Sequence, residues 1–572
     1  MFKILFYHAN TLYFEDLQNS LFLSVAALYF KTHLEIHSPE VASNLQWLRS
    51  IQKQMDDDEL VDYCNSNNID LLCISMYLWN ADFLREQLSR IKSRLNSSCK
   101  IVVGGPSVDV NINSNFFQQN SYADFATYGP GEAAFTDLVT HLVNKKNLIA
   151  FNVSNLAWHD TAKDKLIVAD YKNVPQSQIS PFLANKKFFK DMVEHEINHN
   201  KLNVILPYEL TRGCPYTCTF CDWNSGLSNK VSRRKNTYKE EIDLFQQLGI
   251  RNIYFSDANF GQYDEDIDLV EYMVHKNLHE NAKFKTDGNL SKLRKDNNLK
   301  IYHLFAKGDL VAKGWGFTFS VQDINENVLK NIERPDVGWP IHKKMIQELY
   351  ECHPQYISKV QFIVGLPGQT PTTIKKSLKE IISLPSVILC PFISELLPAS
   401  PAGLNPEYQQ KFQFTYSTSE RINDTGFVFR GKFPQSCVSF TQKEFVEMVV
   451  LVSFMTGISD FKEKINYTEL TSTSIIDILI DTFLNSKQYQ KLTENLYNNW
   501  VNNDKFFYTI DFNLNEKNIP ACHMALAAYH WSNSIEFKKM LVKSTLHSID
   551  TSTLVTKITK YQPLESWFPE NF

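Results

Sequence analysis

Residues 211–223 read Thr-Arg-Gly-Cys-Pro-Tyr-Thr-Cys-Thr-Phe-Cys-Asp-Trp and place Cys214, Cys218 and Cys221 in one short loop with the spacing C-x3-C-x2-C. Glycine and proline beside the first cysteine favour a tight bend of the chain. Three thiolates this close together can ligate three irons of a [4Fe–4S] cluster and leave the fourth iron open. An open iron can bind a small molecule and pass it one electron, so the spacing predicts radical chemistry.

Two alternative interpretations of the loop, a structural zinc site and a disulfide framework, have little support from the other cysteines. A structural zinc site needs four ligands and usually shows a second pair of Cys or His at short spacing, and no such pair follows the loop. A disulfide framework is not expected in a long chain without a secretory signal. The remaining cysteines are scattered singly: Cys64, Cys73, Cys99, Cys352, Cys390, Cys437 and Cys522.

The loop resembles the signature of the radical S-adenosylmethionine (SAM) superfamily, in which an aromatic residue, here Phe220, precedes the last cysteine. The resemblance implies that the three cysteines bind a [4Fe–4S] cluster whose open iron binds SAM and cleaves it reductively. The product is a 5′-deoxyadenosyl radical that takes hydrogen from an unactivated carbon. An electron donor of the flavodoxin or ferredoxin type is implied as well. Further motifs extend the resemblance from about Leu206 to Pro398.

Length and composition are those of a large intracellular enzyme. The 572 residues suffice for about three or four domains. A net charge of -5 gives no reason to expect nucleic acid or an anionic membrane as a partner. The N-terminal run Met-Phe-Lys-Ile-Leu-Phe-Tyr-His is predicted to be a strand rather than a signal peptide, and no window is long and apolar enough to span a membrane. We therefore expect a cytoplasmic protein.

The first 150 residues alternate apolar strands with helical patterns, which predicts a parallel α/β sheet. Strands are predicted at Lys3–Tyr7, Leu71–Met76 and Lys100–Val103, and helices at Asn19–Phe30, Asp57–Asn65 and Asp82–Leu95. In an open parallel sheet, ligands bind over the carboxyl ends of the strands. Three loops should meet there, and they contain Trp79, Gly104, Gly105, Gly129 and Gly131.

This segment resembles the cobalamin-binding domain that often precedes a radical SAM barrel. The matching pieces are Ser-Met-Tyr-Leu-Trp-Asn at 75–80, Val-Gly-Gly-Pro at 103–106 and Tyr-Gly-Pro-Gly-Glu at 128–132. By this resemblance Trp79, Gly104 and Gly105 would border cobalamin. The D-x-H-x-x-G motif, whose histidine would ligate cobalt from below, is absent, so the lower face of the cofactor would meet no such histidine. The alternative is a domain of the same fold that has lost its cofactor.

Strand–helix alternation resumes near Leu206 and predicts a barrel or partial barrel whose working loops follow the strand ends. Its strands are predicted at Asn203–Leu206, Asn252–Ser256, Gly316–Val321, Val360–Val364 and Val387–Cys390. The fold class is therefore α/β. We expect a Rossmann-like domain of the cobalamin-binding type at 1–150, a linker at 151–200, a radical SAM core barrel at 201–400, and a mainly helical C-terminal domain at 401–572. Amphipathic helices are predicted there at Thr441–Thr456, Ser472–Asn485 and Ala521–Tyr529.

Loops at the barrel strand ends also resemble SAM-binding elements. Asp257 and Asn259 stand where the family places polar groups that face the methionine amine. Ser320 and Gln322 stand at a strand end that meets the ribose or carboxylate, and Gly365 begins a turn that passes the adenine. A bound zwitterion needs such partners, because each unmet buried polar group costs about 1–3 kcal/mol. The structural alternatives are a helix cap for Asp257 and solvated strand ends for Ser320 and Gln322.

Two further side chains have both a functional and a structural interpretation. Cys390 precedes a proline at the end of a predicted strand, where its weak S–H bond could give a hydrogen atom to a substrate radical. The alternative is a buried structural cysteine, the commoner fate of a free thiol. Arg334 is predicted to be a surface salt-bridge partner, with a bound carboxylate or phosphate as the alternative.

These observations lead to three hypotheses of function. The first is a radical SAM methyltransferase that uses cobalamin to methylate an unreactive carbon of a peptide or other natural-product precursor. The second is a radical SAM epimerase of a ribosomal peptide, with Cys390 as hydrogen donor and an empty cobalamin domain. The third is a non-catalytic carrier or sensor of the cluster or of cobalamin. The substrate itself is not identified by any motif of the sequence.

Overall fold

The computed structural model describes residues 1–10, 12–13, 19–108, 116–144, 153–160, 165–223, 230–235, 237–281, 283–312, 316–335, 337–422, 428–465 and a few short pieces between 484 and 498. The helix predicted at Thr441–Thr456 lies inside these ranges. The helix predicted at Ala521–Tyr529, and nearly all of the one predicted at Ser472–Asn485, lie outside them.

The N-terminal part of the chain forms an eight-stranded sheet in the order β10-β9-β8-β7-β6-β1-β4, with β5 also paired to β1. The elements up to residue 168 are β1 (Phe2–Asn10), β2 (Leu12–Tyr13), β3 (Ser20–Phe22), α1 (Ala26–His37), α2 (Pro39–Ala42), β4 (Leu45–Trp47), β5 (Ile51–Lys53), α3 (Asp57–Ser66), β6 (Leu71–Ser75), α4 (Ala81–Ile91), β7 (Lys100–Gly104), α5 (Phe116–Gln119), β8 (Phe125–Thr127), α6 (Glu132–Asn144), β9 (Leu156–Asp160) and β10 (Lys165–Val168). Strands β4, β1, β6, β7 and β8 run parallel.

This sheet confirms the parallel α/β fold and the three strands predicted for it. Apolar clusters cover both of its faces, as expected for strands made of continuous apolar runs. Strands β9 and β10 add to its edge in antiparallel fashion, so the sheet continues into the segment that was expected to be a linker.

Residues 181–393 form the barrel strands and their helices. The elements are α7 (Pro181–Ala184), α8 (Lys186–Glu194), β11 (Asn203–Tyr208), β12 (Thr211–Arg212), β13 (Ser232–Arg233), α9 (Tyr238–Gln247), β14 (Asn252–Phe260), α10 (Glu265–His279), β15 (Lys285–Leu290), α11 (Lys295–Lys307), β16 (Phe317–Gln322), α12 (Glu326–Asn331), α13 (Trp339–Cys352), β17 (Ser358–Val364), α14 (Pro371–Ile382) and β18 (Val387–Ile393). Strands β11, β14 and β15 pair in parallel, as do β16, β17 and β18. Strand β15 lies beside β16, so the two groups together form a partial barrel.

One predicted helix is partly wrong. Of the segment Asn19–Phe30, the first residues form strand β3, which pairs in parallel with β11, and helix α1 begins only at Ala26. The N-terminal segment thus contributes strand β3 to the barrel sheet, and from helix α1 onward the chain belongs to the N-terminal domain again. A three-residue strand whose partner lies far along the chain leaves no helix-versus-strand periodicity to detect.

Local capping signals fix two helix starts. The acid cluster at 56–59 begins α3, where the Asp56 carboxylate accepts a hydrogen bond of 2.7 Å from the Glu59 amide. Thr370 caps α14, because its hydroxyl accepts from the Thr373 amide at 3.2 Å and Pro371 occupies the first turn. Both arrangements satisfy amide groups that a helix N-terminus would otherwise leave unpaired.

The chain after the barrel contains both helices and strands in its described part. These elements are α15 (Pro401–Leu404), α16 (Pro406–Lys411), the hairpin strands β19 (Thr415–Ile422) and β20 (Val428–Ser436), and α17 (Gln442–Ile465). Helix α17 confirms the prediction at Thr441–Thr456 and packs against α14 and β18. Among the described residues, no helix combines the length and the apolar character that crossing a bilayer requires.

Candidate functional site

The cysteine loop leaves the barrel directly after β11 and is held at its first residues by Asp257 of β14. The two carboxylate oxygens of this side chain accept hydrogen bonds from the amides of Leu210, at 3.0 Å, and Thr211, at 2.7 Å. Gly213 then turns with φ of 92°, and a Cβ atom there would lie 2.5 Å from the Lys230 carbonyl oxygen. Only glycine fits this approach, so the bend before the first cysteine depends on it.

Burial raises the pKa of Asp257 to about 7, and the nearby carboxylate of Asp266 adds to the rise. The hydrogen bonds from the loop amides oppose it. Asp257 therefore supports the start of the cysteine loop rather than capping a helix, because β14 continues through it to Phe260. Its expected role toward the methionine amine of SAM stays a prediction.

The three cysteine thiols lie close enough to influence one another. Cys214 and Cys218 are buried and Cys221 is half-buried. Burial raises the pKa of Cys218, and the positive charges of Arg334 and Lys292 oppose this rise. Burial also raises the pKa of Cys221, to about 11. Two cations thus face the loop where thiolates would form.

The arrangement differs from a site for a single metal ion. Within the described ranges, no group of three or more His, Cys, Asp or Glu could hold one ion. Sulfur ligands of one zinc would lie about 3.8 Å apart, given a Zn–S length of ~2.3 Å. In a cubane each cysteine binds a different iron, so the sulfurs stand further apart. Three thiols with facing cations fit the ligand set of a cluster.

Asn259 and Lys292 approach the first cysteine directly. The Asn259 amide donates to Cys214 Sγ at 3.3 Å, and Lys292 Nζ lies 3.8 Å from the same sulfur. Lys292 also donates to Asn259 Oδ1 at 3.0 Å and lies over the Tyr216 ring. The sequence analysis named Asn259 but missed Lys292, because it predicted no strand at β15, which Lys292 follows.

Arg334 is buried, so its assignment as a surface residue is wrong. Its guanidinium donates to the backbone carbonyl of Ser320 and also interacts with Cys218. The turn after α12 brings it there, since its amide bonds to the Leu329 carbonyl. Arg334 therefore links the cysteine loop to the end of β16.

The other residues predicted to bind SAM gather at the ends of β16 and β17. Ser320 Oγ lies 2.5 Å from Gln361 Oε1 on the neighbouring strand. Gln322 is buried with φ of 69°, and its Oε1 has no hydrogen-bond partner among the described residues. The Gly365 amide donates to Gln369 Oε1 at 2.8 Å, which closes the turn after β17. The unmet amide oxygen of Gln322 fits a ligand group better than a solvated strand end.

A cavity of about 1630 Å³ lies between the N-terminal sheet and the barrel. All five residues predicted at the strand ends of the N-terminal sheet line it: Trp79, Gly104, Gly105, Gly129 and Gly131. Gly213, Asp222 and Trp223 of the cysteine loop line its other side. The structure thus brings the loops of the two predicted sites to one space, although the three cysteines and the residues predicted to bind SAM do not line it.

The walls of the cavity suit a flat ligand. Trp79 is 42% exposed and stacks on Tyr77, with ring centroids 4.6 Å apart and planes 12° from parallel. Gly105 has φ of 106°, and a Cβ atom there would lie 2.5 Å from the Met76 carbonyl oxygen. Of the described residues that line the cavity, none is a histidine.

Cys390 does not end its strand. Strand β18 continues to Ile393, and Cys390 pairs with Gln361 in the middle of the barrel wall. It is half-buried and lies apart from the residues that line the large cavity. Burial raises the pKa of its thiol.

Comparison with known proteins agrees with this geometry. Residues 208–381 match the family model of the radical SAM superfamily. The cobalamin-dependent radical SAM methyltransferase TokK of Streptomyces tokunonensis is 24% identical over 375 residues. The 2-(S-pantetheinyl)-carbapenam-3-carboxylate methyltransferase of Streptantibioticus cattleyicolor is 24% identical over 394 residues. Each alignment covers 65% of this chain and 53% of the relative, so the chain spans about half the length of these curated relatives.

Two solved structures share the fold at 12% sequence identity. The cobalamin-dependent SAM radical enzyme OxsB, solved with aqua-cobalamin and SAM, gives a TM-score of 0.55 over 98% of this chain and 83% of its own. The radical SAM methyltransferase TsrM from Kitasatospora setae, solved with cobalamin and a [4Fe–4S] cluster, gives 0.53 over 84% of this chain and 100% of its own. Both alignments take in most of the chain rather than the barrel alone. Residues 208–381 of this chain are therefore similar to the radical SAM domain, the part of the chain that contains the cysteine loop.

Proposed function

We propose that this protein is a cobalamin-dependent radical SAM methyltransferase that methylates an unactivated carbon of a peptide or natural-product precursor. The observation that carries the proposal is the cavity shared by the strand-end loops of the N-terminal sheet and the cysteine loop. Its volume of about 1630 Å³ exceeds the roughly 300–1,000 Å³ of an ordinary ligand pocket, as a large cofactor with a substrate requires.

The cysteine loop is suited to hold a [4Fe–4S] cluster at one edge of this space. Cys214, Cys218 and Cys221 would ligate it, and Lys292 and Arg334 would offset the negative charge of the thiolates. When bound, the cluster and SAM supply the radical and cobalamin supplies the methyl group. Gln322 and Ser320 would bind polar groups of SAM, because Gln322 Oε1 otherwise stays buried without a partner.

The glycine loops and Trp79 are suited to hold cobalamin. Gly105 lets the backbone approach the ligand closely, and the stacked Trp79 and Tyr77 offer a flat apolar surface. The similarity to TokK, together with the fold shared with OxsB and TsrM, supports cobalamin rather than an empty domain.

The first experiment measures the cofactors. Protein purified without oxygen and supplied with iron, sulfide and cobalamin should retain iron and sulfide and show the visible absorbance of cobalamin. Cys214→Ala, Cys218→Ala and Cys221→Ala should each lower the iron content strongly. Cys352→Ala, at an exposed cysteine outside the loop, should not change it. A wild-type protein without an iron–sulfur centre or without retained cobalamin would overturn the proposal.

The second experiment identifies the reaction. SAM with a deuterated methyl group is incubated with reductant and 2-(S-pantetheinyl)-carbapenam-3-carboxylate, the compound in the name of one relative. The expected product carries the labelled methyl group. Deuterium uptake from heavy water, without added methyl mass, would instead indicate epimerisation.

Epimerisation is the second candidate, because Cys390 lies half-buried within the barrel wall beside Gln361. A thiol there could give a hydrogen atom to a substrate radical. Cys390→Ala should abolish product formation by an epimerase. It should leave methyl transfer in place, so the variant separates the two reactions.

A further inference from the structure

The strands of the barrel form a continuous layer of inward-facing residues that starts at the large cavity. The pairing register runs from Pro207 through Tyr254 to Asp287, and both Pro207 and Tyr254 line the cavity. On the next strands Thr318 pairs with Lys359, and Thr318 also hydrogen-bonds to Asp287. We call this ring, completed by Ile388 on β18, the Lys359 layer.

Along these strands the outward-facing side chains are more buried than the inward-facing ones, which is the opposite of a packed barrel. A closed barrel of this kind is normally filled by layers of bulky apolar side chains, which are its most buried residues. Here the outward-facing Phe319, Val360 and Leu389 are almost fully buried under the helices. The inward-facing Asp287 and Lys359 stay half-buried. The barrel interior is therefore polar and open rather than filled.

In the next layer toward the cysteine loop, the polar side chains form hydrogen bonds with one another. Ser320 Oγ lies 2.5 Å from Gln361 Oε1 and 3.3 Å from Asn289 Oδ1. Gln361 is paired with Cys390 on β18. The side chains of Ser320, Gln361 and Asn289 are uncharged, so this layer offers no cation to an anionic ligand.

The Lys359 layer differs because it carries a cation without a direct partner. Within the described residues, the Lys359 ammonium makes no hydrogen bond or salt bridge. Burial raises the pKa of Asp287 to about 6, and Lys359 opposes that rise, so the two charged groups face one another across the interior. Because no salt bridge joins Lys359 to Asp287, the ammonium keeps its hydrogen-bond donors for an anionic ligand group.

We propose that Lys359 binds a carboxylate of the substrate, and that the substrate is a small carboxylic acid bound inside the barrel. This inference rests on the proposed function, because it places the substrate beside the cavity that would hold SAM and cobalamin. A carboxylate fits better than a phosphate, because it adds only one negative charge beside Asp287. A phosphate dianion would leave charge unpaired beside Asp287.

The test compares an acid with its uncharged ester. The probes are 2-(S-pantetheinyl)-carbapenam-3-carboxylate and its methyl ester, titrated calorimetrically without oxygen into protein that carries cluster, cobalamin and SAM. Wild type should bind the acid more tightly than the ester. Lys359→Met should weaken binding of the acid by about tenfold to a hundredfold and leave binding of the ester unchanged. Lys359→Arg should retain most of the affinity for the acid.

The controls separate this inference from the proposed function. Lys300→Met, at an exposed position on α11, should bind both probes as wild type does. Iron content and cobalamin absorbance show whether each variant is folded and loaded, and their loss in wild type would count against the proposed function instead. With loaded wild-type protein, failure to bind the acid, or an equal effect of Lys359→Met on acid and ester, would overturn the role of Lys359.

Discussion

Arg212 of the cysteine loop donates a hydrogen bond to Glu132 of the N-terminal domain, with 2.6 Å between Nη1 and Oε1. Glu132 begins helix α6 directly after the Gly129–Gly131 loop, and Arg212 stands two residues before the first cysteine. The same guanidinium donates to Glu209 at 3.0 Å and lies over the Tyr29 ring. One side chain thus joins the loop expected to border cobalamin to the loop expected to bind the cluster.

Removing the Arg212–Glu132 ion pair should destabilise the contact between the cysteine loop and the N-terminal domain. Although burial alone would raise the pKa of Glu132, Arg212 holds it below its usual value, so the pair is charged at neutral pH. Arg212→Gln should lower the free energy of unfolding by about 2–4 kcal/mol, since it leaves a buried carboxylate unpaired. It should also weaken cobalamin retention, measured by absorbance after gel filtration. Arg94→Gln, in an exposed pair with Asp58, should cost less than about 1 kcal/mol and retain cobalamin. Equal behaviour of the two variants would contradict this coupling.

The contacts of Asn259 with Cys214 should set the reduction potential of the cluster. Donors and cations beside a ligating sulfur stabilise the more negative, reduced state. Asn259→Leu removes one donor, so the potential should fall by about 40 mV, the equivalent of ~1 kcal/mol for one electron. Lys292→Met should lower it as well. Potentiometry followed by electron paramagnetic resonance, without SAM, measures the change.

The control for this pair is Lys300→Met, which removes an exposed lysine from α11 and should leave the potential unchanged. A potential in Asn259→Leu equal to or above that of wild type would show that this amide does not act on the cluster.

Asp257 should make stability depend on pH. Its pKa is about 7 in the folded protein and near the ordinary value of 3.8 when unfolded, so the folded state binds its proton more tightly. Stability therefore falls as the pH rises from about 4 to about 7, by at most about 1.4 kcal/mol per pH unit. Asp257→Asn cannot titrate and should show a flatter profile over this range. Denaturant unfolding between about pH 5 and pH 7.5 measures both proteins, and parallel profiles would exclude Asp257 as the cause.

The sequence allowed prediction of features whose signal is local. The cysteine spacing, the Gly104–Gly105 turn and the continuous apolar strands can each be identified within a few residues, and residues of the cysteine loop and of this turn line one cavity. The ends of strands were harder to predict from the sequence. Asp257 and Asn259 were placed after β14, but they lie within it, because pairing with β15 resumes at Phe260.

Contacts between distant residues could not be predicted in this way. Glu132 and Arg212 are 80 positions apart, and no periodicity connects a helix start to a loop in another domain. Lys359 stands in a strand recognised by its apolar neighbours, and only the pairing with β16 and β18 places it in the barrel interior. Such relationships arise from tertiary packing rather than from local propensity.

Gly105 should be required both for the fold of its turn and for cobalamin. Gly105→Ala would force a side chain into a left-handed conformation and within 2.5 Å of the Met76 carbonyl oxygen. Gly249→Ala meets the same left-handed strain at φ of 78°, but its nearest neighbour, a methyl group of Ile197, lies 3.8 Å away. Gly249→Ala should therefore cost only about 1–2 kcal/mol, and Gly105→Ala should cost more because the loop must also shift. Thermal unfolding measures the difference, and cobalamin absorbance should fall in Gly105→Ala alone. If both variants kept cobalamin, the close approach at Gly105 would not serve the cofactor.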